Sequence, residues 1–111
     1  MQNKLLSLLG LARRANRLAL GYEACVDSMR QKQAKLVLYA ADLSPKTQKE
    51  LCFHAGKYGI PTLLLPVSVA EMGNAVGQKA GIAAVTEEGF ARALRKLMDG
   101  SASDNKEVAA I

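Results

Sequence analysis

Tryptophan is absent, histidine occurs once (His54), cysteine twice (Cys25 and Cys52) and proline three times in 111 residues. Two cysteines make no disulfide framework. Both fall at apolar helical positions, where a reduced thiol packs as a small hydrophobe. Cys52 and His54 are two residues apart, on different sides of a helix, and so do not share a metal. No metal and no cofactor are expected. Long apolar runs are missing as well: stretches such as residues 36–41 and 60–67 fall far short of the roughly twenty apolar residues of a membrane span. The start, Met1-Gln2-Asn3-Lys4 running into leucines interrupted by Ser7 and Gly10, has no signal-peptide pattern. A cytoplasmic chain with no membrane partner is expected.

Catalytic constellations are wanting too. Gly73-Asn-Ala-Val-Gly77 has the wrong spacing for a phosphate loop, and no Lys-Ser/Thr follows it. No glycine pattern follows the first strand, where a dinucleotide site needs one. With one histidine, a nucleophile pair would require Cys52 or a distant serine to meet His54. Glu87 and Glu88 suit the positive end of a helix dipole better than paired acid–base chemistry. No enzymatic activity is expected.

What the chain does have is positive charge, unevenly spread. Lys and Arg number 15 against 10 Asp and Glu, a net of +5. Residues 99–111 hold Asp99, Asp104 and Glu107 against Lys106, which leaves +7 on the remainder. Residues 1–35 alone carry +5, from Lys4, Arg13, Arg14, Arg17, Arg30, Lys32 and Lys35 against Glu23 and Asp27. Such a concentration suits a polyanionic partner, most often nucleic acid; the alternative is a domain that is simply basic.

Hydrophobic periodicity alternates between helix-like and strand-like along the chain. Polar Asn3, Ser7, Gly10 and Arg14 recur at helical spacing among leucines, which predicts a helix over residues 3–15. A short strand follows at 18–20, then a helix with Tyr22, Cys25, Val26 and Met29 on one face. Residues 35–41 read as a buried strand. Ser44-Pro45 is a hydroxyl cap followed by proline at the first helical position, and Leu51, Ala55 and Tyr58 stripe that helix until Gly59 and Pro61 stop it. Residues 62–65 form the next strand. Ser68-Val-Ala-Glu71 is a capping box with Val67 and Met72 at the staple positions, and its helix ends near Gly77. Residues 82–85 form the last strand. Thr86 is the expected cap of a final helix with the stripe Phe90, Ala93, Leu94 and Leu97, ended by Gly100.

Five helices alternating with four short, almost wholly apolar strands imply a sheet covered on both faces. The fold class expected is α/β: a single-domain three-layer α-β-α sandwich around a small, mostly buried sheet. The domain covers residues 1–99, and 100–111 form an acidic, disordered tail.

The basic residues gain meaning from position. Arg14 lies on the polar face of the first helix, Arg17 in the turn beyond it, and Gly21 opens the second helix. Arginine beside a glycine-led helix N-terminus can grip phosphate; a solvated turn before an ordinary helix start is the competing reading.

At this point the chain resembles a known group. The segments Leu8-Leu-Gly-Leu-Ala-Arg-Arg-Ala-Asn-Arg-Leu-Ala-Leu-Gly21, Ala34-Lys-Leu-Val-Leu-Tyr-Ala-Ala-Asp42 and Tyr58-Gly-Ile-Pro61 stand in its order and spacing. Glu71-Met-Gly-Asn-Ala-Val-Gly77 and Ala84-Val-Thr-Glu-Glu-Gly-Phe90 continue the match. Together they resemble the small bacterial YlxQ-like members of the kink-turn-binding ribosomal protein family (the L-seven-Ae and L-thirty-e type), over about residues 3–98.

The resemblance implies an α-β-α sandwich that binds structured RNA, with ribosomal RNA among the candidate partners; a monomer is expected. It implies two RNA-facing surfaces: residues 21–27 with Arg17 just before them, and residues 65–68. These bring in Gly21, Tyr22, Glu23, Ala24 and Asp27 on one side, and Leu65, Pro66, Val67 and Ser68 on the other. The family's kink-turn readers carry Gly-x-Asn-Glu-x-x-Lys at the first surface, whereas this chain has Gly21-Tyr-Glu-Ala-Cys-Val-Asp27. Glu23 lacks the amide donors, Ala24 accepts nothing from a guanine edge, and Asp27 moves its position by two charge units away from phosphate affinity. Val69 likewise stands where a lysine is frequent.

Base-specific contacts of the usual kind are therefore not expected. Phosphate gripping by Arg13, Arg14, Arg17, Arg30 and Lys32 needs only charge. Tyr22 is either a stacking platform or part of its helix's core stripe. Leu65 and Pro66 either pack on unstacked bases or simply end their strand. The expected function is non-catalytic, ribosome-associated binding of kink-turn-like RNA through backbone and shape. The alternative is a protein-interaction or small-ligand module on the same fold that has lost RNA binding.

Overall fold

The computed structural model describes residues 2–98. Helices and strands alternate: α1 (Gln2–Arg14), β1 (Leu18–Leu20), α2 (Tyr22–Arg30), β2 (Leu36–Ala40), α3 (Pro45–Tyr58), β3 (Thr62–Leu65), α4 (Val69–Val76), β4 (Ile82–Val85) and α5, residues 88–98. The tail expected over residues 100–111, and Gly100 as a helix stop, lie outside the described residues.

The four strands form one mixed sheet in the order β1-β4-β2-β3. β2 and β3 run parallel, while β4 lies between β1 and β2 and is antiparallel to both. Side chains alternate across the sheet, as strand geometry requires. Leu36, Leu38, Ala40, Leu65, Ala83 and Val85 join Leu5 and Leu9 of α1, Met72 and Val76 of α4, and Leu94 of α5 in one core cluster. Val37, Ile82 and Ala84 join Cys25 and Met29 of α2 and Leu51 and Ala55 of α3 in the other. The result is the expected three layers, with α1, α4 and α5 on one face and α2 and α3 on the other.

Local chemistry explains most element ends. The Ser44 hydroxyl accepts from the Thr47 N–H, and Pro45 occupies the first turn of α3. At α4 the capping box is complete: the Ser68 Oγ accepts from the Glu71 N–H at 3.0 Å, and the Ser68 N–H donates to the Glu71 carboxylate at 2.9 Å. Val67 and Met72, at the staple positions, are both buried in the same cluster. Gly59 and Gly77 end α3 and α4 in the left-handed conformation. Prolines bracket the edge strand β3: Pro61 precedes it and Pro66 follows it.

Two local expectations are corrected. Thr86 does not cap α5. The Glu87 carboxylate accepts from the Phe90 N–H at 2.8 Å, while the Glu87 carbonyl accepts from Ala91. Both residue types have an oxygen able to cap, and the ladder decides which: the Thr86 N–H is tied to the Arg17 carbonyl, so the helix opens one residue later. Ala93 is exposed and Ala91 buried, so the stripe of α5 runs through Ala91 and Leu94.

Candidate nucleic-acid interface

The sheet register decides which candidate residues meet. Leu20 pairs with Ala83, Tyr39 with Ile82 and Ala40 with Leu65, so the carboxyl ends of β1, β2 and β3 share one end of the sheet with the start of β4. This upper end is laced together by main-chain bonds: the Gly21 N–H to the Ile82 carbonyl, Ala40 to Gly81, and Ala41 to Val67. From it spring the N-termini of α2, α3 and α4. Residues 21–27 and 65–68 thus stand on the same end, three strand spacings apart, roughly 14 Å.

Of the three helix starts, two are capped by serine. The first N–H of α4, that of Val69, also donates to the Asp42 carboxylate at 2.8 Å. α2 differs: its N-cap is Gly21, with φ 94° and ψ 163°, and no side-chain cap bond forms there. That backbone region is open essentially to glycine alone. It turns β1 into α2 within one residue and leaves the early N–H groups of α2 without a side-chain acceptor.

On α2, Cys25, Val26, Ser28 and Met29 are buried, which leaves Glu23, Ala24, Asp27 and Arg30 on the solvent face. Asp27 is not a bare negative charge. The Arg30 guanidinium donates to its carboxylate at 2.7 Å, with both side chains about 60% exposed. Of the two readings of Tyr22, the structure shows the core packing. Tyr22 packs against the α2–α3 cluster and meets His54 edge-to-face, ring centroids 6.0 Å apart.

The 65–68 segment splits by burial. Leu65 and Val67 are core residues, 0% and 2% exposed. The expectation that Leu65 packs on unstacked bases is therefore wrong, because strand alternation points it into the α1–α4 layer. Pro66 is exposed and Ser68 is half-buried as the α4 cap.

The structure also separates Arg17 from Gly21. Arg17 precedes β1 and its carbonyl accepts from the Thr86 N–H, at the lower end of the sheet. The three residues of β1 lie between it and Gly21, which spaces the two by four extended steps, roughly 13 Å. The two do not grip a single phosphate. Arg17 instead keeps company with Arg13 and Arg14 at the end of α1 and with Lys32 and Lys35, since the Lys35 N–H donates to the Val85 carbonyl. The densest basic group therefore sits at the lower end. Glu87 lies there as well. The Phe90 and Gly89 N–H groups hold its carboxyl below the usual carboxylate range, with smaller pulls from Arg17 and Arg92.

Sequence reasoning missed Phe53. It is 69% exposed on α3 and meets His54 edge-to-face at 5.8 Å. Its position two residues from both Leu51 and Ala55 was the available signal, since that spacing turns it away from the buried stripe.

The thiols differ sharply. Burial pushes Cys25 from its ordinary 9.0 up to about 12, whereas Cys52 is half-buried beside the Tyr39 hydroxyl. In the native protein at pH 8, iodoacetamide should label Cys52 and spare Cys25 until denaturant is added, as peptide mass spectrometry would show. Equal labelling of both would contradict the burial. Because the folded value lies above the unfolded one, the Cys25 contribution to stability is present below pH 9 and is lost as pH rises towards 12.

Comparison with known proteins settles the affiliation. The family model described as "Ribosomal protein L7Ae/L30e/S12e/Gadd45 family" matches residues 3–95. The chain belongs to this family. Within the L7Ae/L30e family it is YlxQ-like. It is 37% identical over 93 residues to the RNA-binding protein YlxQ of Bacillus subtilis, covering 83% of this chain and 92% of that one. It is 31% identical over 99 residues to the RNA-binding protein YlxQ of Enterococcus faecium, covering 89% and 95%. A solved structure from Bacillus halodurans, of a protein with unknown function, superposes with a TM-score of 0.81 at 36% identity, over 86% of this chain and 97% of that one. The Giardia lamblia 15.5kD RNA binding protein shares the fold at a TM-score of 0.71 and 18% identity, over 86% and 82%. Among the described residues, no helix is long and apolar enough to cross a membrane, and no group of three or more His, Cys, Asp or Glu gathers to hold a metal.

Proposed function

We propose that this chain binds structured, kink-turn-like RNA at the upper end of its sheet, reading backbone and shape more than base edges. The observation that carries this is the opening of α2. Gly21 presents the early N–H groups of that helix with no side-chain cap, on the end of the sheet that also carries Pro66 and Ser68. Backbone N–H groups at a helix start attract phosphate through the helix dipole. The relatives named as RNA-binding proteins support the same reading.

The Asp27–Arg30 pair offsets the least favourable replacement on this surface. Asp27 fixes a guanidinium within one turn of the family's lysine position, so a cation still borders the α2 face. Glu23 supplies no amide donor and Ala24 no carboxylate acceptor where the family's readers have them, which fits shape-based recognition. Ribosomal RNA, rich in bent and looped duplex, is the class of target we propose.

The test is titration of the purified chain against a kink-turn RNA, a matched perfect duplex and a single strand, at two salt concentrations. Tighter binding to the kink-turn is expected. Equal, salt-sensitive binding to all three would reduce the protein to a general backbone binder, and no binding to any would overturn the proposal.

The lower-end arginines make a separate, purely electrostatic contribution in this reading. Arg14→Ala with Arg17→Ala should keep the kink-turn preference and reduce the steepness of the log affinity–log salt plot by about 1.5, the loss of two phosphate contacts. An unchanged slope would remove both arginines from the interface.

A further inference from the structure

The outer face of α3 has a composition that neither core packing nor the α2 surface explains. Its exposed residues at helical spacing are Lys46, Lys49, Glu50, Phe53, Gly56 and Lys57. Phe53 sits between two lysines, each one turn away, and is the most exposed of the large hydrophobics described. An aromatic ring set among cations is the pattern by which proteins take up unpaired nucleotides: the ring stacks on the base and the cations face its phosphates.

Three further observations bear on the same spot. First, the rings of Tyr22, His54 and Phe53 form a row, each outer ring meeting His54 edge-to-face at 72° and 71°. The row backs Phe53 from the protein side. Second, an open groove of about 480 Å³ lies along it, lined by Tyr22, Lys49, Glu50, Phe53 and His54. Third, Gly56 lies one turn beyond Phe53 in the last turn of α3. A Cβ there would meet nothing within 4 Å, so packing does not demand glycine at a position where glycine weakens a helix. Without a side chain at Gly56, the helix surface between Phe53 and Lys57 stays open. Tyr22 is also the first residue of α2, so the groove is continuous with the uncapped helix start to which backbone binding has been assigned.

We propose that Phe53, flanked by Lys49 and Lys57, is a stacking platform for one unpaired nucleobase of the RNA whose backbone the start of α2 holds. This rests on the RNA-binding reading and adds to it a residue, a ligand class and a direction: the strand leaves the α2 start along the Tyr22–His54–Phe53 row. Lys49 and Lys57, one turn to either side, favour an anionic ligand such as a nucleotide over a plain apolar peptide. Glu50, one turn before Phe53 on the same face, also borders the groove, so the cations outnumber the single carboxylate on this stripe by three to one.

The absence of tryptophan makes a direct test available. Phe53→Trp introduces a single indole at an exposed position that the fold does not depend on. Its emission should be quenched at least twofold on saturation with an RNA that has an unpaired nucleotide at its bend. It should change little with the same RNA made abasic at that nucleotide. In parallel, Phe53→Ala should bind the first RNA about tenfold more weakly, with Phe53→Tyr close to the native chain. Both variants should keep native circular dichroism.

Unquenched emission at saturation, or equal affinity for native and Phe53→Ala chains, would overturn the platform while leaving RNA binding intact. Failure of the native chain to bind any RNA would overturn the functional reading itself, and the platform with it.

Discussion

Leu38→Ala is expected to destabilise the domain by about 2–5 kcal/mol. Leu38 is fully buried at the centre of β2, paired with Ala83 on one side and Leu63 on the other. Its side chain enters the cluster shared by α1, α4 and α5, so truncation opens a cavity beneath three helices at once. The neighbours are poorly placed to close it, because Ala40 and Ala83 are already small and the leucines of α1 pack on β-strand positions held by the ladder. For a domain of about a hundred residues, where each kcal/mol shifts Tm by roughly 4–8 °C, a drop of at least 10 °C should appear in calorimetry. A fall of under 4 °C would mean that the layer repacks, contrary to the close contacts seen around it.

Gly21→Ala should act on both stability and binding. No atom lies within 4 Å of the position a Cβ would take, so the effect is conformational rather than steric. At φ 94° and ψ 163° an alanine is strained by about 1–3 kcal/mol. The chain relieves that strain by rotating the peptide at the head of α2, which breaks the Gly21 N–H bond to Ile82 or turns the early N–H groups of the helix. Chemical denaturation should show the loss of stability, and affinity for kink-turn RNA should fall by about tenfold or more. Loss of stability with unchanged affinity would show that RNA is held elsewhere than at the α2 start.

What could be read from the sequence was what local chemistry controls. Ser44-Pro45, the Ser68–Glu71 box and the stops at Gly59 and Gly77 act within four residues, and each appears where expected. The strands were legible because each is apolar on both faces. Their order was not: β1-β4-β2-β3 depends on which apolar surfaces close together, and no residue states it. The misplacement of Arg17 follows from the same gap. Three residues separate it from Gly21 in the chain, and only the knowledge that they form a strand shows that the two lie at opposite ends of the sheet. The departures at Glu23, Ala24 and Asp27 were plain in the sequence, but the Arg30 guanidinium that neutralises Asp27 is a matter of side-chain geometry. Leu65 looked available because it borders a loop; alternation along β3 buries it instead.

The prolines on either side of β3 have a consequence for how the molecule behaves in company. β3 is an edge strand, and Leu64 on it, beside Tyr39 on the α2–α3 side of the sheet, is 48% exposed. An unpaired edge bearing an exposed leucine invites a second chain to add a strand, the first step of aggregation. Pro61 and Pro66 have no N–H to donate, so the ladder offered at that edge is confined to the four residues between them. A visiting strand finds too short a template to nucleate on. At high concentration, during synthesis or refolding, those two rings act as gatekeepers of solubility.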